Sequence, residues 1–337
     1  MELQTAKTIR FYKTGDASVL TMEDLPIEEP GENELRIKVR TIGLNRAEVM
    51  FRNGAYLEAP EFPSKLGYEA AGVVESIGSG VTCFKVGDKV STIPAFSMGQ
   101  YGVYGEQVIV PENAVVKCPD GFSFEQSAAI WMQYITAYGA LIEIANLQKG
   151  QNILITAASS SVGVAAIHIA KNQGAMVIAS TRGANKKQFL LDQGADSVVI
   201  TDTEDLVTRV NKITKGRGVE LVFDPIAGPL LMQLAEICSV GGRIIEYGAL
   251  DDSPAPYPLF AALAKGLKIQ GYTLFEITKD KNKLEAAKIY LHSLFSEKKV
   301  EPVIDKIFSF SNIQQAHQYM ESNKQKGKIL VNLDDVN

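Results

Sequence analysis

The 337-residue chain has little of what a metal centre or a disulfide framework needs, with three cysteines and three histidines. Cys83, Cys118 and Cys238 are scattered and form no C-x-x-C pair, which argues against a disulfide scaffold and a zinc knuckle and leaves three small buried hydrophobes. His168, His292 and His317 lie in separate expected helices, far apart in sequence, and read as surface or core-edge residues. Long apolar runs are missing as well. Stretches such as Leu259 to Leu263 are too short to span a bilayer, and Met1-Glu-Leu-Gln-Thr5 lacks the basic and apolar regions of a secretion signal. A cytoplasmic protein without a membrane partner is the expectation. A formal charge of −5 and the lack of an arginine-rich or aromatic-interleaved patch leave nucleic acid without a binding face. Length and an apolar content of 46% fit a soluble protein of two domains.

What is present is concentrated at Asn152-Ile-Leu-Ile-Thr-Ala-Ala-Ser-Ser-Ser-Val-Gly163. It reads as a strand, a phosphate turn and a helix beginning near Ser161. The small residues let backbone N–H groups approach a pyrophosphate, and the positive end of the helix faces that charge. Only the last glycine of the usual G-x-G-x-x-G pattern survives, as Gly163, with Ala158 and Ser160 at the other two positions. The context supplies the rest. Val164, Ile167, Ile169 and Ala170 give the helix its apolar face, Gln173-Gly174 ends it, and a second strand runs from Ala175 to Ser180. This spacing is a βαβ unit and implies a dinucleotide cofactor.

A further absence says which one. An NAD site normally carries an acidic residue about 20 positions on, to bind the ribose 2′-hydroxyl, yet no Asp or Glu occurs from Val164 to Leu191. Arg182, Lys186 and Lys187 cluster there instead, beside the hydroxyls of Ser180 and Thr181. Cations and hydroxyls suit a 2′-phosphate, and a guanidinium can also stack on adenine. NADPH is the expected cofactor.

The first third of the chain differs in texture. Alternating runs such as Leu35-Arg-Ile-Lys-Val-Arg40 between turn signals read as antiparallel sheet. Ser123-Phe-Glu-Gln126 is a capping box, and the apolar-periodic segment from Ala128 to Ala145 is helical. We place a domain boundary near residue 122. From there to about Gly271, strands and helices alternate as in a doubly wound α/β sheet, mostly parallel, with strands at Ser197–Thr201, Glu220–Asp224, Gly242–Gly248 and Leu267–Tyr272. Beyond it come a helix over Lys283–Ser296, a strand over Lys306–Phe310, a helix over Ile313–Glu321 and a strand over Lys328–Leu333, which return to the first domain.

Several segments together carry a family resemblance. They are Gly43-Leu-Asn-Arg-Ala-Glu-Val-Met50, Leu66-Gly-Tyr-Glu-Ala-Ala-Gly-Val-Val74, Phe84-Lys-Val-Gly-Asp-Lys-Val90, Ile135-Thr-Ala-Tyr-Gly-Ala-Leu141, Gly241-Gly-Arg-Ile-Ile-Glu-Tyr-Gly248 and Gly327-Lys-Ile-Leu330. Over nearly its whole length the chain resembles the zinc-independent quinone oxidoreductases, zeta-crystallin-like, of the medium-chain dehydrogenase/reductase superfamily. The resemblance implies a GroES-like, β-barrel-type catalytic domain from residues 1–122 and 272–337, a Rossmann domain over 123–271, NADPH as cofactor and a homodimer. The zinc-dependent branch of the superfamily carries Gly-His-Glu where this chain has Gly67-Tyr68-Glu69, and Asn45 stands near an expected cysteine ligand. Ser91 to Gln107 contains no cysteine, so a structural zinc lobe is not expected either.

The resemblance also distributes roles. Asn45 donates to the substrate oxygen or positions the nicotinamide ribose, and Thr136 contacts the nicotinamide side. Ser160, Ser161, Val162 and Gly163 line the pyrophosphate. Gly248, Ala249, Leu250 and Phe275 approach the nicotinamide half, Thr201 lies near the adenosine ribose, and Lys328, on a basic turn otherwise read as solvated, borders the cofactor. Glu69 reads as a structural carboxylate. The expected reaction is hydride transfer from NADPH to a quinone or an α,β-unsaturated carbonyl, which needs close contact rather than a strong acid. The alternatives are an enone or enal reductase, a zinc-less alcohol dehydrogenase and, from another class, an NADPH-binding regulatory or RNA-binding crystallin-like protein.

Overall fold

The computed structural model describes residues 4–296 and 300–333. Met1–Leu3, on which the reading of the N-terminus partly rests, lie outside the described residues. The chain divides into two compact units, residues 1–132 with 284–337, and residues 133–283.

The first unit is a β structure. Its strands are β1 (Thr5–Arg10), β2 (Thr21–Pro26), β3 (Glu34–Gly43), β4 (Glu69–Ile77), β5 (Lys89–Thr92), β6 (Gln107–Pro111) and β7 (Val115–Lys117). The second unit contributes β8 (Asn152–Ile155), β9 (Met176–Thr181), β10 (Ser197–Ile200), β11 (Val219–Asp224), β12 (Cys238–Glu246) and β13 (Lys268–Gly271), after which β14 (Ile304–Ser309) and β15 (Lys328–Asn332) belong again to the first.

In the first unit β1 and β2 form an antiparallel hairpin, and the order β14-β15-β3-β4-β5-β7 makes one sheet, with β6 also paired to β3. All its neighbours are antiparallel except β14 and β15. Alternation drives this layout, since Leu35, Ile37 and Val39 turn into the core while Arg36 and Lys38 turn out. The Ser123 capping box forms as read, and the short helix Phe124–Ser127 that it starts packs on β3 and β4. Ala128 and Ala129 then join Ala71 and Leu330 in one buried cluster. These contacts hold the chain in the first unit to Met132, about ten residues past the turn expected to end it. The return at Leu284 falls inside the helix Lys281–Ser296.

The second unit is a six-stranded, wholly parallel sheet in the order β10-β9-β8-β11-β12-β13. This is the dinucleotide-fold order, with the direction of winding reversed between β8 and β11. The strands read as continuous apolar runs because helices cover both faces. Leu154, Val222 and Ile244 share one face with Val210, Leu231 and Leu234, while the helix Ser161–Asn172 starts from the end of β8. The apolar segment read as one helix is two pieces, an α-helix over Trp131–Tyr138 and a wider π-helical turn over Gly139–Ile144. His317 lies in the core rather than at its edge.

Candidate functional site

In the second unit the carboxyl ends of the strands bring the expected nucleotide residues together. Ser160 caps the helix Ser161–Asn172, its Oγ accepting from Gly163 N at 3.1 Å. Ala158 N donates to Ser180 O at 3.0 Å, tying the turn to the end of β9. Ala157 takes the left-handed conformation, at φ 44°, that the first glycine of the usual motif accommodates. A Cβ on Gly163 would come within 2.5 Å of Ala158 O, so the one glycine that survives is the one the close approach of helix and turn requires.

Ser180 and Thr181 are buried at the end of β9, with Arg182 exposed beyond them. Thr201 follows β10 and donates its N–H to Thr181 O at 2.9 Å. Lys186 folds back over the phosphate turn, its Nζ donating to Ser159 Oγ at 3.0 Å. Along the same edge, Gly248, Ala249 and Leu250 follow β12, and Phe275 opens a short helix after β13 with the Lys279 ammonium 5.3 Å from its ring centre. Thr136 is buried on the helix Trp131–Tyr138.

The remaining candidates lie in the first unit, where Asn45 and Lys328 meet. Asn45 precedes the helix Arg46–Arg52, and Glu48 reaches back to its backbone N–H. The Asn45 amide donates to Gly43 O at 3.1 Å and Glu48 Oε1 at 3.2 Å, while its Oδ1 accepts from Lys328 Nζ at 2.7 Å. Lys328 also pairs with Glu69, both fully buried, and Glu69 Oε1 accepts from Met132 N at 3.2 Å. A Cβ on Gly43 would strike Ala128 O at 2.2 Å and Lys328 Cε at 2.8 Å, so a glycine is required beside the pair. Lys328 is thus an interior cation rather than part of a solvated turn. Burial pushes Glu48 up to about 7, against the Lys328 ammonium and the N–H groups of Asn45 and Tyr68.

Beside this network stands an aromatic group that the sequence reading did not single out as a site. Tyr68 is fully buried between Tyr56 and Phe96, with ring centres 6.4 and 5.7 Å away. Burial, and then Tyr56, raises the Tyr68 phenol well above the tyrosine range. Tyr56 is partly exposed. Burial pushes its phenol up to about 12, with the neighbouring Tyr68 hydroxyl pulling the other way.

Residues 31–120 match the family described as alcohol dehydrogenase GroES-like domain, and residues 161–288 match zinc-binding dehydrogenase. The chain is 31% identical to a quinone oxidoreductase of Pseudomonas aeruginosa, over 97% of this chain and 99% of that one. The chain belongs to the quinone oxidoreductase family of medium-chain dehydrogenases/reductases. Within the family, its fold superposes on the Escherichia coli quinone oxidoreductase solved with NADPH, with a TM-score of 0.90, 28% identity, and coverage of 97% of this chain and 100% of that one. The human synaptic vesicle membrane protein VAT-1 homolog is 28% identical over 90% of this chain and 79% of its own. Of the two residues that comparison with the zinc-dependent branch singles out, Asn45 is bonded to Gly43, Glu48 and Lys328, and Tyr68 is bonded through its backbone to Glu48 and Thr92. Among the described residues, no three His, Cys, Asp or Glu side chains converge as a metal site would need.

Proposed function

We propose that this protein is an NADPH-dependent reductase that passes a hydride to a quinone or to the β-carbon of an α,β-unsaturated carbonyl without zinc. The observation that carries the cofactor reading is the edge of the second unit's sheet. A capped helix N-terminus, a turn that Gly163 alone fits, and the run Ser180-Thr181-Arg182 stand together there. NADPH bound there supplies the hydride.

The chain's own residues do the rest. The N–H groups of Ser161 and Val162 at the helix start would hold the pyrophosphate, with Ser160 and Gly163 shaping the turn around it, and Arg182, with Ser180, Thr181 and Lys186, the 2′-phosphate. Thr201 would border the adenosine ribose, and Gly248, Ala249, Leu250, Phe275 and Thr136 the nicotinamide half. When the acceptor leaves charge on oxygen, a positioned hydrogen-bond donor stabilises it. Tyr56, partly exposed beside the buried Tyr68 ring, is our choice for that donor. The contacts of Asn45 favour positioning over donation, since its amide is committed to Gly43 and Glu48 and its oxygen to Lys328. Lys328 would then border the cofactor through this network. The proposal extends to a cytoplasmic homodimer; no helix among the described residues is long and apolar enough to cross a membrane.

The test is NADPH oxidation in metal-free buffer against a panel of small quinones, enones and enals, with NADH in parallel and zinc measured in the purified protein. Turnover without zinc, faster with NADPH, is expected, and the preferred acceptor names the subclass. One tightly held zinc per chain, or no turnover with any acceptor, would defeat the reading.

A further inference from the structure

At the carboxyl edge of the second unit's sheet, three side chains stand in a row on adjacent strands: Thr156 after β8, Asp224 at the end of β11 and Glu246 at the end of β12. Asp224 and Glu246 are register partners, so their side chains leave the same face. The Asp224 carboxylate is wholly buried and well supplied with donors. Thr156 Oγ1 donates to Oδ1, and the N–H groups of Ile226 and Ala227 donate to Oδ2 at 3.0 and 2.6 Å. Glu246 is the opposite case, with both carboxyl oxygens buried and no N–H or side-chain hydroxyl donor.

A bare carboxylate in that position would be a buried charge facing another of the same sign. Burial, and then Asp224, pushes Glu246 up to about 9, so near neutral pH it carries a proton and donates it to Asp224. Among the described residues no cation is set against it. The neighbouring strand β13 presents Gly271, which has no side chain, and β8 presents the uncharged Thr156. Lys265, on the adjacent helix Leu259–Lys265, is turned to the carbonyls of Ala235, Glu236 and Cys238. Asp251, beyond β12, accepts from Ser253 N, and Tyr247 turns its ring the other way, onto Phe223.

We infer that Glu246 is a positioning residue for the nicotinamide end of the cofactor, acting through one hydrogen shared with Asp224. Two loops meet at this pair. Asp224 holds the segment Pro225–Gly228, in which Ala227 and Gly228 are both left-handed at φ 61° and 58°. That segment accepts in turn from the loop after β12, Leu250 N to Pro225 O at 2.9 Å and Asp251 N to Ile226 O at 3.0 Å. Loss of the shared proton sets two carboxylates side by side and loosens the junction that presents Gly248, Ala249 and Leu250. The end of β9 lies two strands from Asp224, and Thr156, which leads into the phosphate turn, bonds Asp224 rather than Glu246, so both are expected to keep their geometry. The inference rests on the NADPH reading of this edge.

The experiment compares the dissociation constants of NADPH and of 2′,5′-ADP, which has no nicotinamide, by calorimetry between pH 7.5 and 10. Their ratio cancels whatever titrates at the adenosine half. For the wild-type protein the ratio is expected to rise about fivefold toward pH 10. Glu246→Gln, which still donates to Asp224 but cannot ionise, is expected to bind both like wild type at pH 7.5 and to keep the ratio flat. A flat wild-type ratio overturns the inference even if the variant does not fold, and so does a rise that persists in E246Q. Failure of the wild-type protein to bind NADPH at pH 7.5 would strike the cofactor reading instead, and this inference with it.

Discussion

Arg182 and Lys186 sit a few residues apart and use their charge differently. Arg182 projects from the end of β9 into solvent, while Lys186 lies back on Ser159 of the phosphate turn. Replacing both by Ala should weaken NADPH at least about tenfold, the scale of one charge-assisted hydrogen bond, and NADH much less. Fluorescence titration of the two cofactors reads the difference, and equal losses would remove the 2′-phosphate assignment. These residues were legible because the signal is local: a missing acid and a present cation within one βαβ unit. Lys328 was not. Its neighbours in sequence, Lys324 and Lys326, are polar and the turn is basic, so nothing near it announces that it meets Asn45 and Glu69 from the far end of the chain. Glu246 was hidden for a related reason. One acid at the end of an apolar strand is unremarked until the register sets Asp224 beside it.

At the scale of elements, the helix Ile313–Glu321 docks through a group whose ionisation sets a limit on stability. His317 Nδ1 lies 3.0 Å from Arg52 Nη1 and its Nε2 3.3 Å from the Tyr104 hydroxyl. Arg52 can only donate, so Nδ1 accepts, and the neutral ring gives its Nε2 hydrogen to Tyr104. Burial first, then Arg52 and Arg46, pushes His317 down to about 3. A depressed value means that stability is complete above the unfolded value near 6.5 and drains away as the pH falls toward about 3. Between pH 7.5 and 5 this one group should withdraw about 2 kcal/mol. Urea midpoints at the two pH values should therefore drop further in the wild type than in His317→Gln, and equal drops would refute the assignment. The helix itself was legible from its period, with the same bounds. Periodicity does not say which histidine is buried, nor that the run ending near Ala145 widens into a π-helical turn at Gly139.

For the whole molecule, alternating strands and helices were enough to read the second unit as a parallel doubly wound sheet, because its strands pair with their neighbours in sequence everywhere except between β8 and β11. The first unit was read as antiparallel sheet to which the last strands return, but its pairings could not be specified, since β15 joins β3 across most of the sequence. The second unit leaves β13 as an edge strand with one side unpaired in its own sheet. Such an edge invites a further strand, and the homodimer of our proposal would use it. Light scattering at micromolar concentration should give twice the chain mass of 36.7 kDa, and a monomer would remove this part of the proposal.

The division of the chain also orders its making. Residues 133–283 are contiguous and emerge from the ribosome together, whereas the first unit needs both ends of the chain. Until Lys328 has been added, Glu69 has no cation and β3 has no β15 beside it. The half-made protein therefore carries a finished nucleotide fold in tow of an unfinished barrel with a bare strand edge, the kind of surface that chaperones hold. Synthesis stopped before Lys328 would leave that state permanent, and quality control, rather than catalysis, would be the first process to notice.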